Sequence, residues 1–203
     1  MRGVASQHEG DPVGATDLFV PVLSRVWLAP VGTAAPAGPT IAMTDPWADV
    51  GHFTPDSLNW ETSPEFEEAK SAQSDYPIAS WQTGDGATLE VDLYEWTAAN
   101  FRAVFGGGEF TKITPAGDPA PPPYFKFTPP KVGGRDEVAV VVELINGDRH
   151  LRRIIPRAQQ VEGVTQSLNK TEASVLPLRL KVLGSDIADA FYDLSDFEAF
   201  DPS

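Results

Sequence analysis

At 203 residues the chain is long enough for one well-buried core and short for two, so it reads as a single domain with extended loops and terminal arms. The 19 prolines and 17 glycines, concentrated between apolar runs, favour β architecture, and the lack of cysteine excludes disulfides, thiolate metal sites and cysteine nucleophiles. With 29 acidic against 15 basic side chains the formal net charge is −14, which argues against tight wrapping of nucleic acid, and no stretch approaches the roughly 20 apolar residues needed to span a bilayer.

Residues 1–20 are small and polar and predict an arm ordered only where a neighbour covers it. Residues 20–28 predict a first strand. Residues 30–45 are Pro, Ala, Gly and Thr with almost no large apolar side chain, a loop long enough to be either functional or mobile. The apolar pattern resumes over residues 47–53. Over residues 58–70 charged and other side chains alternate (Glu61, Ser63, Glu65 and Glu67 against Trp60, Thr62, Pro64 and Phe66), the period of a strand with one wet face, although Pro64 suits only a bulge or an edge.

Residues 78–82 predict a short strand, Gly84-Asp85-Gly86 a tight turn, and residues 88–95 a second strand in which Leu89, Val91 and Leu93 oppose Thr88, Glu90 and Asp92; together these read as a hairpin. Thr97 caps one helix, with Ala98, Phe101, Ala103, Val104 and Phe105 for its apolar face and Gly106-Gly107-Gly108 to end it. A proline-rich excursion over residues 115–123 cannot join a sheet. Two strands, 136–145 and 149–156, flank Asn146-Gly147-Asp148, the strongest hairpin signal here, with Val138, Val140, Val142 and Leu144 facing the core.

A last strand over residues 174–182 sets Leu176, Leu178, Leu180 and Val182 against Arg179 and Lys181. An acidic tail follows Gly184, with one short helix expected around residues 187–192. The count is about seven strands and one helix. The fold class is therefore mainly β, a β-sandwich or open-barrel protomer with one short flanking helix, long loops and terminal arms. The organisation is an arm over 1–20, a β domain over 21–184 and an acidic tail over 185–203.

Charge is segregated along this plan. Residues 1–100 hold 3 basic and 15 acidic side chains, residues 101–184 hold 12 and 8, and the last 19 residues carry six acids and no base. Separate blocks of opposite sign on one chain suit head-to-tail association of copies. The N-terminal residues lack the apolar core of a signal peptide, giving an expectation that the product stays in the cytosol where it is made.

No catalytic, metal or cofactor site stands out. His8, His52 and His150 lie far apart without a second ligand at metal spacing. Glu67-Glu68 and Glu61/Glu65 could be drawn as paired carboxylates, but a solvated strand face explains them better. There is no Gly-x-Ser-x-Gly elbow, and the glycine run follows a helix where a phosphate loop would precede one. Asn169-Lys170-Thr171 matches a glycosylation sequon only incidentally. Trp27, Trp47, Trp60, Trp81 and Trp96 could stack sugars, although core and interface packing is their commoner use.

The middle of the chain is more specific. Residues 49–58 (DVGHFTPDSL), the acidic run from Trp60 to Lys70 and the stretch Ile78-Ala79-Ser80-Trp81-Gln82 follow in order. They resemble the major tail proteins of siphophages infecting actinobacteria, as does the passage from Leu89 through Trp96-Thr97 to Phe105-Gly106. The resemblance implies a tail tube subunit: a β-sandwich-like protomer with a flanking helix, joined in six-subunit rings that stack into a tube carrying DNA.

It implies as partners other copies of the chain, a tape measure protein and a tail terminator. DNA would be met only transiently, no membrane is involved, no cofactor is needed, and the location is the virion tail. On this reading Glu61, Glu65, Glu67, Glu90 and Asp92 are expected to face the lumen, where an acidic wall repels phosphates. The two proline-rich loops and both termini are expected to make contacts between protomers or rings. The rivals are another virion β-protein, such as a capsid decoration or tail terminator subunit, and a carbohydrate-binding β-sandwich module. An enzyme is the most distant reading.

Overall fold

The computed structural model describes residues 18–117, 119–185 and 189–201. Among them are twelve strands and one α-helix. The first six strands are β1 (Leu23–Pro30), β2 (Ala48–Asp49), β3 (Asn59–Thr62), β4 (Glu65–Ala69), β5 (Ala79–Gly84) and β6 (Ala87–Leu93). The helix α1 (Ala98–Phe105) comes next, then β7 (Glu109–Ile113), β8 (Tyr124–Thr128), β9 (Glu137–Asn146), β10 (Arg149–Gln160), β11 (Leu176–Val182) and β12 (Tyr192–Ser195).

The main sheet is antiparallel in the order β2-β1-β9-β10-β11-β6-β3, with β12 also on β10. β10 is its pivot. Residues 151–154 pair with β12 and residues 158–160 with β11, and in between the ladder to β9 slips from Ile155 to Ala158. Pro156 lies in the slip, where a missing N–H costs no ladder bond. The chain thereby passes from one layer to the other, and the sheet folds over itself without closing into a barrel.

The core lies between these layers. Val26 of β1 and Val140 and Val142 of β9 meet Leu89, Val91 and Leu93 of β6 and Leu176, Leu178 and Leu180 of β11, none more than 5% exposed. The period-2 burial of β6 and β11 is that expected from their sequences. β9 departs from it, because Ala139, Val141 and Glu143 on its other face are buried too. The loop of residues 31–47 accounts for this: Arg152, opposite Glu143 in the β9–β10 ladder, donates through Nη1 to the carbonyls of Gly38 and Ile41.

Two turns follow the sequence closely. Asn146 pairs with Arg149 across Gly147-Asp148, with Gly147 at φ 60°, a conformation that costs glycine little. Thr97 caps α1 by accepting from the Asn100 N–H, and Gly106 ends it at φ 70°. The helix buries Val104 and, unexpectedly, Asn100, whose Nδ2 donates to the carbonyls of Val50 (2.8 Å) and Glu95 (2.9 Å). Ala98, expected on the apolar face, is exposed.

Four expectations need correction. Residues 79–84 and 87–93 do not form a hairpin with each other: β5 pairs with β4 and β6 with β3, and Gly84–Gly86 is a jog within one long antiparallel excursion whose turn is residues 70–78. Glycine permits a jog as readily as a turn, and only the partner strand distinguishes them. The strand expected over 58–70 is broken at Ser63-Pro64, with both faces of β4 exposed beyond the break. A further hairpin, β7–β8, brackets the proline-rich excursion and raises the strand count well above seven. Of the helix expected at 187–192, residues 187 and 188 lie outside the described residues, as do residues 1–17 of the expected arm, and Tyr192 begins β12.

Candidate assembly surfaces

The five acids singled out from sequence fall into two groups. In the β3–β6 register Asn59 lies opposite Glu90 and Glu61 opposite Thr88, and in the β6–β11 register Glu90 lies opposite Arg179 and Asp92 opposite Pro177. Glu61, Glu90 and Asp92 thus share the face of β11-β6-β3 turned away from the core. Arg179 sits among them, 2.7 Å from Asp92 and 3.5 Å from Glu90, and Lys181 lies on the same face. Three carboxylates against two cations leave that face only mildly acidic. The basic pair was legible as the polar side of the last strand, but its proximity to Glu90 and Asp92 depends on a register between strands about ninety residues apart.

Glu65 and Glu67 stand on the β4–β5 hairpin, which continues beyond the Ala87 end of β6. Nearly every hairpin residue is exposed, including Phe66 (59%), Tyr76 (80%), Ile78 (65%) and Trp81 (47%). Its charges are Glu65, Glu67, Glu68 and Asp75 against Lys70. Glu67 pairs opposite Trp81, so acid and indole share one side.

Past the Leu93 end of β6 the surface is different. Phe101 and Phe105 of α1 pack against Phe110 and Phe127 of the β7–β8 hairpin with ring centroids 4.9 to 5.8 Å apart across the two elements. Beside this aromatic layer runs an open groove of about 500 Å³ lined by Trp96, Ala98, Phe110, Lys112 and Phe125. Trp96 is 47% and Phe125 67% exposed, and the Trp96 indole donates to the Ser174 carbonyl. The strands behind it were missed because short aromatic runs flanked by prolines resemble loop. The available signal was the alternation of Phe110 and Lys112 with Thr111, and of Phe125 and Phe127 with Lys126.

The acidic tail folds back on basic β10. Asp193 accepts from Nε and Nη2 of Arg153 at 2.8 and 2.7 Å, and that guanidinium lies 4.5 Å from the Trp60 ring centroid. Arg149 lies 4.3 Å from the centroid of Phe197 and donates to the Leu18 carbonyl, so both terminal segments meet on one guanidinium. The His150 N–H donates to Asp196 at 2.7 Å, and its Nδ1 lies 2.8 Å from the other carboxylate oxygen.

Burial raises the Asp196 pKa, but the hydrogen bonds and charge of His150 outweigh it, and the carboxyl sits below its ordinary range. Hydrogen bonds from Arg157 lower Glu137 in the same direction against the opposing effect of burial. A carboxyl lowered on folding supplies stability that is complete above its unfolded value, about pH 4, and lost as pH falls through the folded value. Amide protection of residues 192–195, corrected for intrinsic exchange, is therefore expected to hold from neutrality to about pH 4 and to fall below it. Asp196→Asn should lower the protection at neutral pH and remove most of that acid step.

The other candidates stay apart. Among the described residues no group of three or more His, Asp or Glu could hold a metal ion; the backbone N–H of His52 donates to Glu95 and that of His150 to Asp196, and His8 lies outside the described residues. The tryptophans form no single platform. Trp60 is covered by Arg153 and Phe191, Trp47 donates to the Ala34 carbonyl, and Trp81 and Trp96 lie beyond opposite ends of β6. No helix is long and apolar enough to cross a membrane among the described residues.

A family model described as "Phage tail tube protein" matches residues 13–199. A search of the curated proteins finds no match. The family is structural rather than enzymatic, assembles into a tube and resides in the virion tail. The match spans the folded sheet, the helix, both projecting hairpins and the returning tail, and the chain belongs to the phage tail tube protein family.

Proposed function

We propose that this chain is the tube subunit of a siphophage of the kind that infects actinobacteria, with six copies closing into a ring and rings stacking into the channel through which DNA leaves the particle. The observation that carries this reading is the tail tube family match over nearly the whole chain. The sheet edges at β2 and β3 are suited to ring closure, which would cover the backbone groups of an open sheet. A tape measure protein inside the growing tube and a terminator at its end complete the set of partners.

The lumen wall in this proposal is the outer face of β11-β6-β3, bearing Glu61, Glu90 and Asp92, with Glu65 and Glu67 carrying the acidic stripe along the hairpin to the ring junction. Its mild net charge suits DNA passage, repelling phosphates without a deep well of either sign. The proline-rich stretches at residues 30–45 and 115–123 and the terminal segments serve contacts between subunits.

Electron microscopy of the purified chain tests the reading, with tubes of six-fold symmetry expected. Compact oligomers without tubes would favour a decoration or terminator subunit. Within the virion, Glu61→Lys is expected to leave tubes intact while infectivity per particle drops by roughly tenfold, because each ring then presents a circle of phosphate-binding cations. Unchanged infectivity, or Glu61 mapping to the outer wall of the assembled ring, would remove it from the channel.

A further inference from the structure

We propose that Asn146 is a modification site at which the chain converts its own asparagine to aspartate and isoaspartate, with solvent water as the co-reactant, placing a new carboxylate beside Arg149. The site depends on the β9–β10 turn alone, independently of how the chain assembles.

The reaction needs a backbone nitrogen that can reach a side-chain amide. The Gly147 nitrogen attacks Cγ of Asn146, a bond forms between them, and the Cγ–Nδ2 bond breaks as ammonia leaves with the proton of the Gly147 N–H. Water then opens the cyclic imide. Addition at Cγ gives an ordinary aspartate, and addition at the backbone carbonyl carbon gives isoaspartate, with the chain routed through Cβ and Cγ. The attacking nitrogen has to shed its proton, so the rate rises with pH.

The surroundings single this residue out among the four asparagines. Glycine follows Asn146, whereas Trp60, Phe101 and Lys170 follow the others, and a side chain on the following residue shields its nitrogen. Among the described residues no hydrogen bond holds the Asn146 side-chain amide. The others are held: Asn59 donates to the Ser57 carbonyl, Asn100 to those of Val50 and Glu95, and Asn169 accepts from the N–H groups of Thr171 and Glu172. Gly147 is exposed, and apart from its chain neighbours no atom lies within 4 Å of where a Cβ would stand. The ring can close and water can enter without displacing anything.

The hairpin sets the rate. Asn146 ends β9 in an extended conformation paired with Arg149, which keeps the Gly147 nitrogen from its side chain. Closure needs that last pair to open, and the end of a ladder beside a glycine frays more readily than its middle. Residues directly opposite in an antiparallel ladder share one side of the sheet, so the carboxylate forms next to Arg149. That guanidinium donates to the Leu18 carbonyl and lies over the Phe197 ring, and the new charge draws it from both terminal segments.

The purified chain, held at neutral pH and physiological temperature and then digested at acid pH, is read by mass spectrometry, with isoaspartate told from aspartate by chromatographic retention. Asn146 is expected to convert at least about tenfold faster than Asn59, Asn100 and Asn169, and Gly147→Ala to slow it about tenfold. Asn146 persisting in the native chain while it converts in the same chain in urea would show that the turn protects it and would overturn the proposal, as would conversion of Asn169 at an equal rate. Alanine is strained at φ 60°, so circular dichroism checks that variant, and if it is unfolded the comparison with urea decides alone. Asn146→Asp, which carries the charge on an unaltered backbone, is expected to speed amide exchange at residues 197–200 several-fold. Unchanged exchange there would overturn the effect on the termini and leave the modification site standing.

Discussion

Replacing Arg152 by methionine is expected to destabilise the folded chain by about 3–5 kcal/mol, read from the urea midpoint. Arg152 and Glu143 are 3% and 6% exposed and joined at 2.9 Å through Nε, and the same guanidinium donates to the Gly38 and Ile41 carbonyls. The substitution leaves a carboxylate with no counter-charge in a dry layer and removes the donor from two carbonyls. Changing Glu143 to leucine in the same chain should recover most of the loss, because a buried ion pair is worth little more than well-packed apolar groups once both charges are gone.

The loop of residues 31–47 should behave differently. Its tie to β10 runs through Arg152, so both the single and the double variant should be cut faster there by limited proteolysis. A stable double variant with a protected loop would show that contacts other than Arg152 hold it.

Leu178→Ala is expected to cost about 2–5 kcal/mol, while Arg179→Ala, one residue along β11, should cost no more than about 1 kcal/mol. Leu178 is fully buried opposite Val91, where the two layers meet, and truncation leaves a cavity that flanking strands cannot close without moving the sheet. Arg179 points to the other face, where its side chain and those of Asp92 and Glu90 are 22%, 28% and 39% exposed and water screens the ion pairs. Thermal unfolding of the two variants tests the assignment of faces directly. Equal losses would mean that the proposed channel face is packed against something in the isolated subunit.

Strand identity, helix and turns were legible where the determinant is local. Leu89, Val91 and Leu93 alternate because a strand places successive side chains on opposite faces, Asn146-Gly147 accepts the turn's backbone angles, and Thr97 and Gly106 cap the helix within one turn of themselves. Gly84-Asp85-Gly86 was misread because nothing local tells a turn from a jog, and the outcome depends on which strand lies alongside. Asn100 and Arg152 gave no warning of burial, since each is kept inside by carbonyls about 50 and more than 110 residues away in sequence.

The same division applies to the assembly surfaces. Sequence alone determined that the chain is mainly β, that its acids alternate along strands and that charge is segregated into blocks, because composition and short-range periodicity are properties of neighbouring residues. Only the tertiary structure decided that Arg179 lies against Glu90 and Asp92, that Asp193 and Asp196 return to their own chain's β10, and that an acidic hairpin and a basic aromatic groove occupy opposite ends of β6. Those placements follow from strand order and register, which are set by how distant apolar faces close one core and are not encoded in any single segment.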